Sequence, residues 1–326
     1  MISSGNGAVR RPATLGAMAR SLAEDLVAAF DALFGSHAGF RAVHAKGICC
    51  EATFTATPEA AALTRAAHMQ GADVRATVRF SNGSGDPAAH DTDREPRGMA
   101  VKFHLDDRAT DVVAINQPVF IVRTPEELLE FLRLRVPDPE TGRLDLEALG
   151  SFVAARPESA RAAEMLLTAP ALESFLRTRY FAIHAFRFIS TDGTARFGRY
   201  RWEPAEGVAT LTKEEARDRG PDYLRDDLLA RLRREPASFD LHIQLAGEGD
   251  DADDPTQEWP EDRPQVLAGS LEITAVVDDP ERDCDGVVFD PMRLCDGIEP
   301  SEDRILHARP AAYDVSATRR LSARPG

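Results

Sequence analysis

Two groups of period-two stretches flank a helical block, and this order constrains the fold of the 326-residue chain more than any other feature. The first group covers 40–57, 74–81, 98–105 and 110–115, and the second covers 181–189, 194–203, 238–246 and 269–277. In 40–57 the even positions include Phe40, Ala42, His44, Ile48, Cys50, Ala52 and Phe54. Mostly apolar, they read as the buried face of one long strand, with His44 on the buried parity. Between the groups, Thr124-Pro125-Glu126-Glu127 carries a helix start: a Thr cap, Pro at the first position and an acid at the third. Helices are expected near 145–155, 157–168 and 171–179 within this block, and at 17–35 and 221–235 outside it. Strands in two runs with helices set apart indicate an α+β architecture built on an antiparallel sheet. Residues 1–16 read as a polar arm. The organisation expected is an N-terminal arm and helix over 1–39, then one domain over 40–326.

Composition excludes several classes. A net charge of −15 argues against nucleic acid or an anionic membrane as partner. No 18-residue apolar run marks a membrane span. The stretch 21–35 is apolar but carries Glu24, Asp25 and Asp31, so it reads as an amphipathic helix rather than a leader, and a cytoplasmic location is expected. Cys49 and Cys50 are adjacent while Cys284 and Cys295 stand apart, without CxxC or zinc spacing; reduced, buried thiols are expected. The acidic segment 248–262 lacks EF-hand order and reads as a solvated loop. Dinucleotide, P-loop, zinc-peptidase and serine-hydrolase motifs are absent from the sequence.

One constellation points to chemistry. Arg309, Tyr313 and Arg320 fall at i, i+4 and roughly two turns further on, one face of a helix. Tyrosinate is among the few axial ligands that proteins offer haem iron, and a neighbouring cation favours the phenolate. The face is therefore a candidate haem anchor, its alternative being an ordinary packing or solvated face. Pro310 within it removes a backbone donor and should kink the helix. His184, His104 and His242 read as structural, and Tyr180, Tyr200 and Trp202 as packing residues.

Three segments, in order and spacing, make the chain resemble the catalase superfamily. They are Arg41-Ala42-Val43-His44-Ala45-Lys46-Gly47; Val78-Arg79-Phe80-Ser81 with Pro96 to Phe103, Asp111-Val112-Val113 and Asn116-Gln117-Pro118-Val119-Phe120; and Phe289-Asp290-Pro291 with Gly297 to Ser301 and Arg309 to Arg320. Lacking the long arm and C-terminal extension of full-length catalases, the sequence is more similar to the small catalase-related haem peroxidases. The resemblance implies an eight-stranded antiparallel β-barrel enclosing haem b (iron protoporphyrin IX), with a helical block inserted and further helices around it. It implies Tyr313 as the iron ligand, with Arg309 stabilising its phenolate. His44 would be the distal acid/base, backed by Ser81. Arg41, Arg79 and Arg320 would meet the propionates, Phe120 would line the pocket and Val43 would narrow the channel. Where the family has two consecutive Asn, this chain has Ile115-Asn116. The catalytic position holds Ile115, and Asn116, the remaining amide, takes the second one. Efficient dismutation needs polar groups to orient a second hydrogen peroxide, and Ile115 supplies none. The expected activity is reduction of organic hydroperoxides or hydrogen peroxide by an external electron donor. Catalase activity, hydroperoxide isomerisation and haem binding with little turnover are the alternatives. A homo-oligomer is implied by the family.

Overall fold

The period-two stretches close into a ring. The computed structural model describes residues 21–106, 108–279 and 284–323; the arm expected over 1–16 lies outside the described residues. In chain order the elements are α1 (Leu22–Phe34), β1 (Gly47–Ala56), α2 (Pro58–Leu63), β2 (Val74–Asn82), β3 (Arg97–His104), β4 (Ala109–Ile115), α3 (Pro125–Leu134), α4 (Leu146–Ala154), α5 (Pro157–Thr168), β5 (Ala171–Leu172), β6 (Tyr180–Phe181), β7 (Phe186–Ile189), β8 (Ala195–Pro204), β9 (Thr210–Leu211), α6 (Lys213–Arg217), α7 (Tyr223–Leu232), β10 (Ala237–Leu245), β11 (Gln265–Val276), β12 (Ile298–Pro300) and α8 (Arg304–Ser322). The order β10–β11–β1–β2–β3–β4–β6–β8 returns to β10, which makes an antiparallel barrel of eight strands with no free edge. Strands β7 and β12 extend from β8.

Strand parity sorts the barrel into two faces. Inward lie Cys50, Ala52 and Phe54 of β1, Val78 and Phe80 of β2, Met99, Val101 and Phe103 of β3, and Trp202, Phe239 and Leu241 further round, all fully or almost fully buried. These side chains fill the interior, as in other small barrels. The filled barrel interior leaves the candidate site outside it: the residues expected to form it lie in the loop before β1, on the outer face of the sheet, beyond β4 and on α8. On that outer face Lys102 and Asp111 form a buried pair, Nζ to Oδ1 at 2.7 Å. Asp111 also accepts from the Asp290 backbone N–H at 2.8 Å and from Arg293. This fastens the Phe289-Asp290-Pro291 segment to the sheet.

Helices are held by the signals the sequence carries. The Thr124 hydroxyl accepts from the Glu127 N–H, with Pro125 at the first position of α3. Ser21 and Glu24 form a capping box at the start of α1, which packs Leu26 and Ala29 against Leu129 and Leu132 of α3.

Several expectations change. Residues 40–46 are not strand: β1 begins at Gly47, and His44 has φ 58°, which a continuing strand cannot accommodate. The stretch 181–189 breaks between β6 and β7, and His184 sits in the break. Residues 171–179 are not a helix; β5 pairs with β9, and a short turn at Phe175–Arg177 buries Phe175 and Leu176 in the core. The acidic loop is not simply solvated. Arg199 reaches into it from β8, donating to the Asp254 and Gln257 carbonyls and stacking on Trp259, so that Asp254, Thr256 and Trp259 are buried.

The cysteine expectation is corrected in part. Cys49 and Cys284 form a disulfide, while Cys50 and Cys295 are free and buried. Cys49 has the outward parity of β1, and the crossing segment brings Cys284 to a Cα–Cα distance of 5.5 Å. A separation of 235 residues leaves no spacing signature. The cysteines thus no longer support a reducing compartment. Closing so long a loop should stabilise the fold by about 3–5 kcal/mol. Titration of the denatured, unreduced protein with a thiol reagent should find two thiols per chain; four would refute the bridge.

Candidate active site

The C-terminal helix supplies one wall. Asp303 caps α8, its Oδ1 accepting from the Ile305 and Leu306 N–H groups at 2.8 and 3.2 Å. The helix runs from Arg304 to Ser322 with Pro310 inside it. Ile305 and Leu306 are buried just before the proline and hold that turn against the protein. Arg309 and Tyr313 stand at i and i+4, and Arg309 donates from Nε at 2.9 Å and from Nη2 at 2.5 Å to the Tyr313 hydroxyl. Both bonds are strongest with negative charge on that oxygen. Arg309 is itself held: its Nη1 lies 2.8 Å from His184 Nε2, and His184 Nδ1 lies 2.5 Å from Asp303 Oδ2. Burial pushes the His184 pKa down against the pull of Asp303, which suits a neutral ring accepting from Arg309 and donating to Asp303. His184 and Asp303, buried at 1% and 0% exposure, hold Arg309 from behind, a contact that no local sequence pattern announces. Asp303 could have been noticed as a cap ahead of a helix; nothing in the sequence marks His184.

The facing wall is the loop before β1 and the outer face of β1–β4. The His44 Nδ1 lies 3.0 Å from Ser81 Oγ on β2. Two glycines make room for this arrangement. A Cβ at Gly98 on β3 would lie 2.7 Å from Ser81 Oγ and 3.1 Å from the His44 ring, and one at Gly47 would lie 2.4 Å from Arg79 Nη2. The positive φ of His44 turns its ring onto the sheet, and its carbonyl accepts from Arg79 Nη2 at 3.0 Å. Burial, then the charges of Arg79 and Arg309, push the His44 pKa down to about 3. The imidazole is therefore neutral at ordinary pH. With Nδ1 engaged by Ser81, Nε2 is the nitrogen left to take a proton. The loop is tied to α8 by the Ala42 N–H, which donates to Ser316 Oγ at 3.2 Å.

Arginines gather beside this pair of walls. Arg79 and Arg320 are each 4% exposed. Burial and then Arg320 push the Arg79 pKa down to about 10, against the opposing pull of Asp285. Arg79 Nε is buried with no hydrogen-bond partner among the described residues. Arg41 donates to the Cys284 and Val287 carbonyls at 3.1 and 2.8 Å, with Asp285 3.9 Å away. Two neighbouring buried guanidiniums and an orphaned donor call for an anion, and haem propionates meet that need. A tyrosine oxygen held by arginine on the opposite wall fits an iron ligand. The residues present thus fit haem.

Other expected residues fall differently. Val43 lies beside His44 in the loop and is half-buried. Phe120 packs against the satellite cluster of Val122, Phe152 and Ile305. Asn116 does not turn to His44: its Oδ1 accepts from the Arg97 N–H at 2.7 Å, and its own N–H donates to the Arg97 carbonyl. Ile115 is instead in register with Gly98, which is in register with Ser81. Paired residues of an antiparallel sheet face the same side, so Ile115 shares the face of the Ser81–His44 pair.

An arginine-held tyrosine on α8 and a serine-backed histidine beside β1 are brought to one side of a closed barrel. The family model described as Catalase matches residues 28–324, and the chain belongs to the catalase family. It is 36% identical to a catalase-related peroxidase of Synechococcus elongatus over 94% of this chain and 91% of that one. It is 40% identical to a catalase-related peroxidase of Mycolicibacterium paratuberculosis over 86% and 89%. Among solved structures, a fungal catalase superposes with TM-score 0.79 at 25% identity, over 88% of this chain and 60% of the other. The chain thus spans about three fifths of that longer catalase.

Two outcomes test the walls separately. Tyr313→Phe should lose or severely weaken haem binding, read as loss of Soret absorbance on titration with haem; an unchanged spectrum would refute the anchor. Gly98→Ala should displace the His44 ring, lowering the rate of peroxide consumption at least ~10-fold while haem binding persists.

Proposed function

We propose that this protein is a haem-dependent peroxidase that reduces organic hydroperoxides, hydrogen peroxide or both with an external electron donor, and that its cofactor is haem b. Tyr313 would hold the iron, and Arg41, Arg79 and Arg320 would meet the propionates. Bound haem supplies the redox chemistry that cleaves an O–O bond. The chain's residues supply proton handling and orientation. His44 Nε2 takes the proton from one oxygen of the hydroperoxide and returns it to the other, which leaves as water or an alcohol. Ser81 fixes the ring and its tautomer from behind. Arg309 balances charge on the Tyr313 oxygen and is steadied by His184 and Asp303.

The observation that carries peroxidase over catalase is Ile115. It brings a hydrocarbon to the face where an amide would orient a second peroxide, while Asn116 is occupied with the Arg97 backbone. The names of the two small relatives support the same reading. Oxygen release from hydrogen peroxide should be weak, and donor oxidation driven by an organic hydroperoxide should dominate. Ile115→Asn should raise oxygen release about tenfold or more. Vigorous oxygen release by the unaltered protein without a donor would overturn the proposal in favour of catalase.

A further inference from the structure

The segment 284–293 crosses the outside of the sheet as a strap fastened at two points. Toward its far end, Asp111 accepts from the Asp290 N–H at 2.8 Å and from Arg293. At its near end the fastening is covalent, since Cys284 is bridged to Cys49 of β1. Between these points the Cys284 and Val287 carbonyls accept from Arg41 Nη2 at 3.1 and 2.8 Å. Arg41 lies in the loop before β1, so carbonyls 243 and 246 residues away in the chain hold its guanidinium. Cys49 is itself in register with Arg79 of β2, and paired residues of an antiparallel sheet face the same side. One covalent bond thus joins the neighbour of Arg79 on the sheet to the acceptor of Arg41 on the strap. Both sulfurs are buried, in a cluster with Val277. Asp285 is carried on the same strap, 3.9 Å from Arg41, but its side chain is 43% exposed. Solvent screens such a pair, so the two carbonyls are the main hold on Arg41.

We infer that Cys49 and Cys284 are positioning residues for the cofactor's carboxylates: their bridge keeps Arg41 in place for the propionates, and the grip on those carboxylates depends on the bridge being oxidised. The inference rests on the haem part of the proposed function. An arginine already held by two carbonyls loses little freedom when it meets a carboxylate, whereas one released to solvent must be ordered at the moment of binding. Opening the bridge does not reach the rest of the site directly, because the hydrogen bonds of Tyr313 and of the His44–Ser81 pair run elsewhere. A dithiol opens it by passing on two electrons and two protons: the S–S bond becomes two thiols, and the reductant closes its own disulfide. Linkage makes the effect reciprocal. Whatever factor the bridge adds to haem affinity, haem adds to the resistance of the bridge to reduction.

Soret titration of the full chain with haem and with haem dimethyl ester, in which both propionates are capped, tests this independently of turnover. Cys49→Ala combined with Cys284→Ala should bind haem at least ~10-fold more weakly, while its Kd for the ester changes less than about twofold. A merely structural bridge would weaken both alike. Arg41→Gln should reproduce the selective loss, and adding it to the bridge variant should cost little more, because both changes remove one interaction. Asp285→Asn should leave the haem Kd within about twofold. In the unaltered protein, equilibrated in dithiothreitol redox buffers and read by thiol alkylation, haem should lower the midpoint potential of the bridge by about 30 mV, the equivalent of tenfold for a two-electron couple. Equal losses for haem and ester, additive effects of Arg41→Gln, or an unmoved midpoint would overturn the positioning role; with hydroperoxide reduction intact, the peroxidase reading would stand. Bridge-dependent haem binding of this selectivity, without reduction of any hydroperoxide, would support the positioning role and overturn the peroxidase reading.

Discussion

One guanidinium organises the site. Arg309 lies between the Tyr313 hydroxyl and the His184 ring, and His184 lies between Arg309 and Asp303. The sequence of contacts runs from an acid that starts a helix, through a histidine in a break between two strands, to a tyrosine on that same helix. Because Asp303 also caps α8, the local rule that starts the helix and the electrostatic rule that holds the tyrosine share one side chain. Few donors or acceptors along this line are spare, so the tyrosine oxygen has little freedom to wander.

The barrel contributes by sorting. Strand alternation sends the large apolar residues inward, where they leave no room for a cofactor, and sends Arg79, Ser81, Gly98 and Ile115 outward. The outer face can then carry buried charge, because helices and the 284–293 segment cover it. Rigidity comes from the packed inner face, and chemistry from the outer one. The two glycines belong to the same logic: missing Cβ atoms let the His44 ring and the Arg79 guanidinium lie flat on the sheet.

Much of this was legible in the sequence, and the rest was not for identifiable reasons. Periodicity marks the inward rows, Thr124-Pro125 marks a helix start, and the Arg309–Tyr313 spacing marks a shared helix face, because each is a local property. Alternation through 40–46 points to a strand around His44, but a positive φ at His44 turns the chain there instead. The Cys49–Cys284 bridge, the His184–Asp303 pair and the clamp of Arg199 on the acidic loop join residues far apart in the chain and leave no local spacing. Residues 171–179 have helical composition, but two buried side chains and a strand pairing override it. That Ile115 and Asn116 face opposite ways follows from strand alternation, and the pairing of Ile115 with Gly98 gives it a direction.

The two walls of the cleft come from opposite regions of the described chain. His44 precedes the first barrel strand, and Tyr313 follows the last, with the Ala42–Ser316 hydrogen bond drawing the regions together. The cleft therefore has no partial form: an unclosed barrel or an undocked α8 leaves one wall without the other. A cofactor gripped by both walls would recognise only the finished molecule, so its binding would stabilise the native state by an amount set by its free concentration relative to its Kd. Retention of such a cofactor would be linked to integrity of the fold, and a change far from the site that loosens the barrel would show as lost colour.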